Sequence, residues 1–209
     1  MAKYKLLFVD HLPFVGGAQL ALSRHLKHLN RVDFSAVMAG SGNTPQLAKD
    51  FEPLVEKLYR LPFTRLKIFN PLSLWHYLMT SFELIRIVRR ENCALIVTNT
   101  ERAFYPSLLA AKLTGRKVVA LIRDYEYPRA LLKRLRPLTA RFVFVSLNLR
   151  DYYMSGDMSK SRVIYVGTDI NKPSAGALEA DVRFKIRQRW GVNDGQVVIG
   201  FAGRLVAWK

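Results

Sequence analysis

Cysteine is nearly absent from this sequence, since Cys93 is the only one among 209 residues. An internal disulfide is therefore excluded, and a reducing compartment fits. Because Cys93 lies beside the apolar run Ala94–Val97, we interpret it as a small buried core residue rather than a catalytic thiol. The four histidines have no cysteine partner and no HExxH-like arrangement, so we expect no metal site.

Long hydrophobic runs are missing too. No apolar stretch approaches the length that crosses a bilayer, and the apolar run at the N-terminus is too short for a signal peptide. We therefore expect a cytoplasmic protein. The alternative is a cytoplasmic protein bound peripherally to the inner face of the cell membrane.

Acidic residues are scarce: 16 Asp and Glu stand against 33 Lys and Arg, a formal net charge of +17. Such an excess is typical of solvated helix faces on a basic protein. It is also typical of a surface that meets anionic lipid headgroups, phosphate-bearing substrates or nucleic acid.

Half of the residues are hydrophobic, which predicts a packed core. Short apolar runs alternate along the chain with segments at helical spacing. This alternation predicts an α/β fold, a doubly wound parallel (Rossmann-like) sheet of about seven strands. The predicted strands are 5–10, 34–39, 57–62, 94–98, 117–122, 142–145 and 162–166.

The longest predicted helix opens at Asn70–Pro71 and ends near Glu91. Its large apolar residues repeat at helical spacing, so we expect Trp75 and Met79 to belong to the core, packed against the sheet. The residues of this apolar repeat are Leu72, Trp75, Leu78, Met79, Phe82 and Ile85.

A second helix, within the stretch 129–141, is strongly basic. Three leucines, at positions 131, 132 and 135, can share one face, and Lys133, Arg134 and Arg136 flank them. Basic amphipathic segments bind membrane surfaces by apolar insertion and by attraction to anionic lipid. The same pattern also arises when the leucines pack on the sheet and the cations face water.

The end of the chain reads QVVIGFAGRLVAWK. We predict an apolar strand over 196–202, followed by Gly203, Arg204 and, five residues later, Lys209. Ligands of parallel α/β sheets bind outside the carboxyl ends of the strands. Glycine permits close approach, and arginine and lysine neutralise phosphate oxygens. This stretch therefore predicts an anion site.

Other polar residues follow predicted strands. Gly16 and Gly17 precede a helix whose first N–H groups attract anions, although adjacent, delayed glycines do not make a dinucleotide-binding fingerprint. Candidates for contact with a ligand in the cleft are His11, which follows the first strand, and Asn99, Glu101 and Arg102, which follow the fourth. Each of these is also an ordinary polar loop residue.

Three motifs resemble family 4 retaining glycosyltransferases of GT-B architecture. They are RQRWGVNDGQVVIGFAGRLVAWK, SRVIYVGTDI and FVGGAQ, and the last is similar to the family's Gly-Gly-Ala-Glu loop. The resemblance implies an N-terminal acceptor-side domain over 1–167, a linker over 168–181 and the beginning of a donor-binding domain over 182–209. It identifies the sheet as the N-terminal half of a GT-B fold.

The resemblance also implies a chemistry. A sugar would pass from a nucleotide diphosphate sugar to a hydroxyl acceptor, in some members a lipid-linked one, with retention. Gly16 and Gly17 would lie over the donor diphosphate, which Arg204 and Lys209 would hold in place of a metal ion. The acceptor side of the cleft would be formed by His11, Asn99, Glu101 and Arg102. With only the beginning of a donor-binding domain, we expect the chain to be inactive alone.

The sequence departs from the family at three places. Arg123 stands where many members have a histidine by the reacting sugar, followed here by Asp124. Arginine stays protonated, so it cannot be a general base, but it can stabilise charge beside the transferred sugar. Val166 replaces an asparagine. Glu83 and Glu91 have the spacing of the family's paired glutamates, but they lie on the long helix, and we interpret that as coincidence.

Two other classes of function remain open from the residues. A basic nucleic-acid-binding module is disfavoured, because the aromatic residues lie mostly within apolar strands and helices and no recognised motif is present. A non-catalytic domain that docks a membrane or a partner subunit is the other.

Overall fold

The computed structural model describes residues 3–11, 16–41, 49–63, 70–167, 177–193 and 195–200. The chain divides into two compact units, 1–167 and 168–209. The first unit contains a sheet of seven strands, all parallel, in the order β3-β2-β1-β4-β5-β6-β7. The strands are β1 Tyr4–Asp10, β2 Phe34–Gly40, β3 Lys57–Arg60, β4 Leu95–Thr98, β5 Lys117–Ile122, β6 Arg141–Phe144 and β7 Ser161–Val163.

This sheet confirms the predicted α/β, Rossmann-like fold. Its strands are buried apolar runs because helices cover both faces, as parallel sheets require. The strand order changes direction between β1 and β4. At such a switch point the connections leave to opposite sides and open a crevice at the carboxyl ends of the strands.

Helices alternate with the strands as predicted. They are α1 Gly17–Lys27, α2 Pro71–Arg90, α3 Glu101–Thr114, α4 Arg129–Leu135, α5 Leu147–Met154 and α6 Ala177–Arg189, with short 3-10 turns at Glu52–Leu54 and Arg136–Leu138. Within the described ranges, no helix combines the length and the apolarity that a membrane span needs.

Local capping explains where the helices begin and end. Asn70 caps α2 by accepting a hydrogen bond from Ser73 N at 3.1 Å, and Pro71 occupies the first turn, where its missing N–H costs nothing. The C-terminus of α3 is capped by Gly115, which adopts φ 66°, a left-handed conformation that favours glycine.

The core lies on both faces of the sheet. Along β1, Leu7 and Val9 belong to one hydrophobic cluster, while Leu6 and Phe8 belong to the other, because successive side chains of a strand point to opposite faces. Cys93 is fully buried, and burial raises the pKa of its thiol to about 11. The interpretation of Cys93 as an unreactive core residue is confirmed.

Helix α2 packs on the core through Leu84, Ile85, Ile87 and Val88, but the prediction that Trp75 and Met79 belong to that core is wrong. Leu72, Trp75, Met79 and Phe82 are exposed, and of the apolar repeat only Ile85 is buried. The face that turns inward carries Leu84, Ile85, Ile87 and Val88 in its second half and Ser73, Thr80 and Ser81 nearer its start. Periodicity shows that a helix has an apolar stripe, but it does not show which side of the helix the fold covers.

The leucines of α4 lie against the protein. Leu132 is buried, and Leu135 packs on the larger core cluster. Arg136 forms an ion pair with Asp157, while Lys133 and Arg134 are exposed. The exposed cations of α4 are thus not accompanied by an apolar face made of these leucines.

In the second unit, α6 begins at Ala177, inside the predicted linker 168–181. Its first four residues, Ala-Leu-Glu-Ala, are strong helix formers, which explains why the helix extends into the predicted linker. The strand predicted over 196–202 is not formed in its described part, 196–200. A strand forms only where its backbone groups find a hydrogen-bonded neighbour, so an apolar sequence alone does not make one.

Candidate functional site

The predicted acceptor-side residues meet at the carboxyl edge of the sheet, in the crevice where the strand order reverses. His11 directly follows β1, Asn99 directly follows β4, and Arg123 directly follows β5. The chain enters α1 at Gly17 and α3 at Glu101 beside the same edge. Parallel strands bring these residues together although His11 and Arg123 are 112 positions apart in the sequence.

A buried carboxylate organises this edge. Asp10, the last residue of β1, has no solvent exposure. Gln19 Nε2 donates hydrogen bonds to its two oxygens at 3.1 and 2.9 Å. Gln19 Oε1 in turn accepts a hydrogen bond from Gly16 N at 3.0 Å. Through Gln19, Asp10 therefore fixes the backbone at the start of α1.

Asn99 continues the network on the other side. Its Nδ2 donates to Asp10 Oδ2 at 2.5 Å, and its Oδ1 accepts from Arg123 Nε at 2.8 Å. The two partners settle the orientation of the amide, because its NH₂ group must face the carboxylate and its oxygen must face the guanidinium. Asn99 thus links a buried anion to the cation that stands in place of the family histidine.

Three buried polar atoms at this edge have no hydrogen-bond partner among the described residues: His11 Nδ1, Thr98 Oγ1 and Arg123 Nη2. An unpaired buried polar atom costs free energy unless a ligand or water satisfies it. Burial lowers the pKa of Arg123, while the charge of Asp10 raises it, and a guanidinium remains protonated in either case. Arg123 can therefore bind an anion or stabilise negative charge.

His11 is neutral at physiological pH. Burial, and then the nearby charge of Arg102, lowers its pKa to about 4. Its backbone N donates to Thr100 Oγ1 at 3.2 Å, which fixes its position between β1 and the start of α3. An imidazole held neutral in this way offers a hydrogen bond to a ligand but is a weak base.

The remaining predicted acceptor-side and catalytic residues differ in their surroundings. Glu101 Oε1 accepts a hydrogen bond from Tyr105 OH at 2.8 Å, one turn along α3, so it is held by its own helix. Arg102 is exposed. Asp124 is exposed and accepts from Glu126 N at 3.2 Å, which is a turn-forming contact, and it stands beside Arg123 without joining the Asp10 network.

The Gly16–Gly17 loop leads directly into α1. Gly16 has φ −117°, a conformation open to any residue, so what matters here is the missing side chain. A Cβ at Gly17 would meet no atom within 4 Å among the neighbours described. The N–H of Gly16 is taken by Gln19, so the N–H groups of the first helical turn, from Gly17 onward, are the ones suited to an anion.

Sequence reasoning missed the roles of Asp10 and Gln19. Asp10 carried a signal, since it ends a strand, and Gln19 belongs to the FVGGAQ motif, but their contact depends on tertiary structure. Glu91 lies far from this edge: it follows α2 and pairs with Lys5 near the amino end of β1 at 3.4 Å. Glu83 pairs with Arg86 on α2. Arg204 and Lys209 lie outside the described residues.

The part of the chain that the structure describes contains no group of three or more His, Cys, Asp or Glu residues that could together hold a metal ion. The expectation of a metal-free site stays a prediction.

A family model supports the resemblance. The model described as Glycosyltransferase Family 4 matches residues 15–172, which is more than half of the chain and includes Gly16, Asn99 and Arg123. No curated protein matches the chain.

Solved structures share the fold. Alr3699/HepE of Anabaena, in complex with UDP, is 20% identical with a TM-score of 0.64, over 90% of this chain and 50% of that one. A glycosyltransferase of Rickettsia africae is 20% identical with a TM-score of 0.64, over 92% and 50%. MurG of Acinetobacter baumannii is 15% identical with a TM-score of 0.54, over 70% and 42%. The chain thus spans about half the length of the first of these proteins, and the predicted place of its sheet in the GT-B fold is confirmed.

Proposed function

The chain belongs to glycosyltransferase family 4, and from this membership we propose that it forms the acceptor-side half of a retaining glycosyltransferase. The bond between the sugar's anomeric carbon and the diphosphate oxygen breaks. A hydroxyl oxygen of the acceptor bonds to that carbon, the hydroxyl proton passes to the departing phosphate oxygen, and the nucleoside diphosphate leaves. The acceptor is a sugar or a lipid-linked hydroxyl compound.

A nucleotide diphosphate sugar is the proposed donor. HepE of Anabaena has been solved with UDP and with UDP-glucose, which supports a donor of this class for a chain with the same fold. The N–H groups at the start of α1 are suited to the diphosphate. Arg204 and Lys209 complete its neutralisation in this proposal, so that no metal ion is required.

One observation carries the proposal: Asp10 and Asn99 hold Arg123 at the carboxyl edge of the sheet with its buried Nη2 unpaired. A preorganised cation stabilises charge that develops in a transition state without reorganising during the reaction. Arg123 therefore acts on the leaving diphosphate or the transferred sugar, and the exposed Asp124 lies beside it. His11 and Arg102, together with Asn99 and Glu101, form the acceptor side.

The experiment compares sugar transfer by the full gene product and by residues 1–209 alone, with a panel of UDP- and GDP-sugars and simple glycoside acceptors. We expect transfer by the full product and none at ordinary enzymatic rates by residues 1–209, because the reaction needs groups from two domains in position. Arg123→Met should abolish most of the transfer, while Arg123→Lys, which keeps the charge but not the fork, should retain a small part.

Two results would overturn the proposal. Unchanged transfer by the Arg123→Met protein would remove Arg123 from the reaction. Rapid transfer by residues 1–209 alone would show that the second domain is dispensable. Product stereochemistry, read from the anomeric coupling of the new linkage, tests retention separately.

A further inference from the structure

An apolar stripe runs along the outer side of α2. Leu72, Trp75, Met79 and Phe82 are 62%, 57%, 37% and 52% exposed, and their spacing of three and four residues places them on one face of the helix. Large contiguous apolar patches are uncommon on the surface of monomeric proteins and mark binding sites. We call these four residues the α2 stripe.

The inner side of α2 is satisfied, so the orientation of the helix is fixed. Thr80 Oγ1 donates to Pro62 O at 2.8 Å, Ser81 Oγ donates to Tyr77 O at 2.8 Å, and Tyr77 OH donates to Tyr105 O on α3 at 3.0 Å. Rotating the helix to bury the stripe would break the contacts that Thr80 and Tyr77 make outside the helix and would expose the buried Leu84, Ile87 and Val88. The α2 stripe is therefore a stable feature of the surface.

The stripe continues into a groove between α2 and α3 of about 490 Å³. Phe82 and Leu113 supply apolar walls, and Arg86 and Arg89 line the same groove together with Glu83, which forms an ion pair with Arg86 at 3.0 Å. Residues 71–82 contain no Asp, Glu, Lys or Arg, whereas the last turn of α2 is basic. Apolar and cationic groups are thus adjacent but segregated along one surface.

We propose that the α2 stripe and the arginines beside it bind an anionic lipid bilayer. Apolar side chains insert between headgroups while cations stay at the charged surface, which is the chemistry of interfacial helices. Tryptophan suits that boundary, because its ring is apolar and its N–H is polar. The stripe spans about 15 Å of helix at 1.5 Å per residue, long enough to lie in the interface.

Charge complementarity selects the bilayer over other occupants. The chain carries a formal net charge of +17, so a second copy would approach against strong repulsion, whereas an anionic membrane attracts it. The proposal differs from the membrane role predicted for α4, whose leucines lie against the protein. It is independent of sugar transfer, since vesicle binding requires no reaction.

The first experiment uses Trp75 as a reporter. Trp190→Phe with Trp208→Phe leaves Trp75 as the sole tryptophan. Vesicles of equimolar phosphatidylglycerol and phosphatidylcholine should shift its emission to shorter wavelength, and pure phosphatidylcholine vesicles should not. Vesicle binding with unshifted Trp75 emission would overturn the proposal, because the stripe would then remain in water.

The second experiment is co-sedimentation with the same vesicles. Trp75→Ser with Phe82→Ser should weaken binding by about tenfold or more, because two large apolar side chains no longer leave water. The matched control is Val32→Ser with Met158→Ser, two exposed apolar residues elsewhere, and it should bind as wild type. Arg86→Gln with Arg89→Gln should weaken binding more than Lys133→Gln with Arg134→Gln on α4. Circular dichroism checks that each variant folds.

The alternatives give different results. Equal binding by the Trp75→Ser/Phe82→Ser protein and the wild type would show adsorption by net charge alone and would overturn the proposal. A dimer in analytical ultracentrifugation that the same pair of changes dissociates, with no vesicle binding, would assign the stripe to a second copy of the chain. If Lys133→Gln with Arg134→Gln weakened vesicle binding more than Arg86→Gln with Arg89→Gln, the membrane-binding surface would be α4 and not α2.

Discussion

Asn99 Oδ1 accepts a hydrogen bond from Arg123 Nε at 2.8 Å. The same amide donates to Asp10 at 2.5 Å, so one neutral side chain joins a buried carboxylate to a partly buried guanidinium. Asp10 also holds Gln19, and Gln19 holds Gly16. The glycine loop and Arg123, two parts of the proposed donor site, thus share one anchor.

We expect Asn99→Ala to lower the free energy of unfolding by about 1–3 kcal/mol, because it removes a partner from both Asp10 and Arg123. Urea unfolding measures this change. Asn148→Ala is the matched control. Asn148 is exposed and, among the described residues, accepts a hydrogen bond from Tyr125 OH at 3.2 Å, so losing this side chain should change the free energy of unfolding little. Equal effects of the two substitutions would contradict the role of the network.

Gln19→Glu should destabilise the protein by about 3 kcal/mol at neutral pH, because it places a second buried carboxylate against Asp10. The pair would hold a proton, so its folded pKa lies above the unfolded value of about 4.3. Stability is therefore regained as pH falls through the raised folded pKa, and the deficit against wild type narrows towards about pH 4.

The double variant Asp10→Asn with Gln19→Glu provides the control for this prediction. It restores one amide and one carboxylate at 2.9–3.1 Å with their places exchanged, and Asn99 can still donate to the amide oxygen. We expect most of the lost stability to return at neutral pH. A double variant as unstable as Gln19→Glu alone would show that the charge is not the cause.

His11 should make the protein less stable in acid. Its pKa falls from 6.5 to about 4 on folding, so below pH 6.5 the unfolded chain gains a proton that the folded state refuses. Stability is full above pH 6.5 and is lost progressively down to about pH 4, by at most about 3 kcal/mol. In His11→Gln this part of the pH dependence disappears, whereas the exposed His28→Gln serves as the comparison. Urea unfolding across this pH range decides the matter, and an unchanged slope in His11→Gln would refute it.

Arg204→Ala, in the full gene product, should lower kcat/KM for the donor by about 10²–10³, the cost of losing one group that stabilises the leaving diphosphate. Steady-state kinetics with the preferred nucleotide sugar measure the effect. Arg162→Ala, an exposed arginine of β7, should leave kcat/KM unchanged. An Arg204→Ala enzyme with unchanged kcat/KM would show that Arg204 does not stabilise the leaving diphosphate.

The sequence by itself determined the alternation of strands and helices. Apolar runs place β5 at 117–122 as predicted and β1 within one residue of its prediction, because a strand buried on both faces must be apolar along its whole length. Asn70 and Pro71 likewise identify the start of α2 through local capping. The positions of His11, Asn99 and Arg123 at one edge follow from strand order in parallel sheets.

Tertiary structure decided what local patterns leave open. The apolar stripe of α2 is visible in the sequence, but its outward direction depends on Leu84 and Val88 packing in the core and on Thr80 donating to Pro62 O. The leucines of α4 turn inward for the converse reason: the core cluster receives them. The link from Asp10 to Asn99 spans 89 positions. A hydrogen bond between such distant residues forms only after the sheet has brought their strands side by side. Sequence periodicity cannot predict it, because periodicity relates residues that are close along the chain.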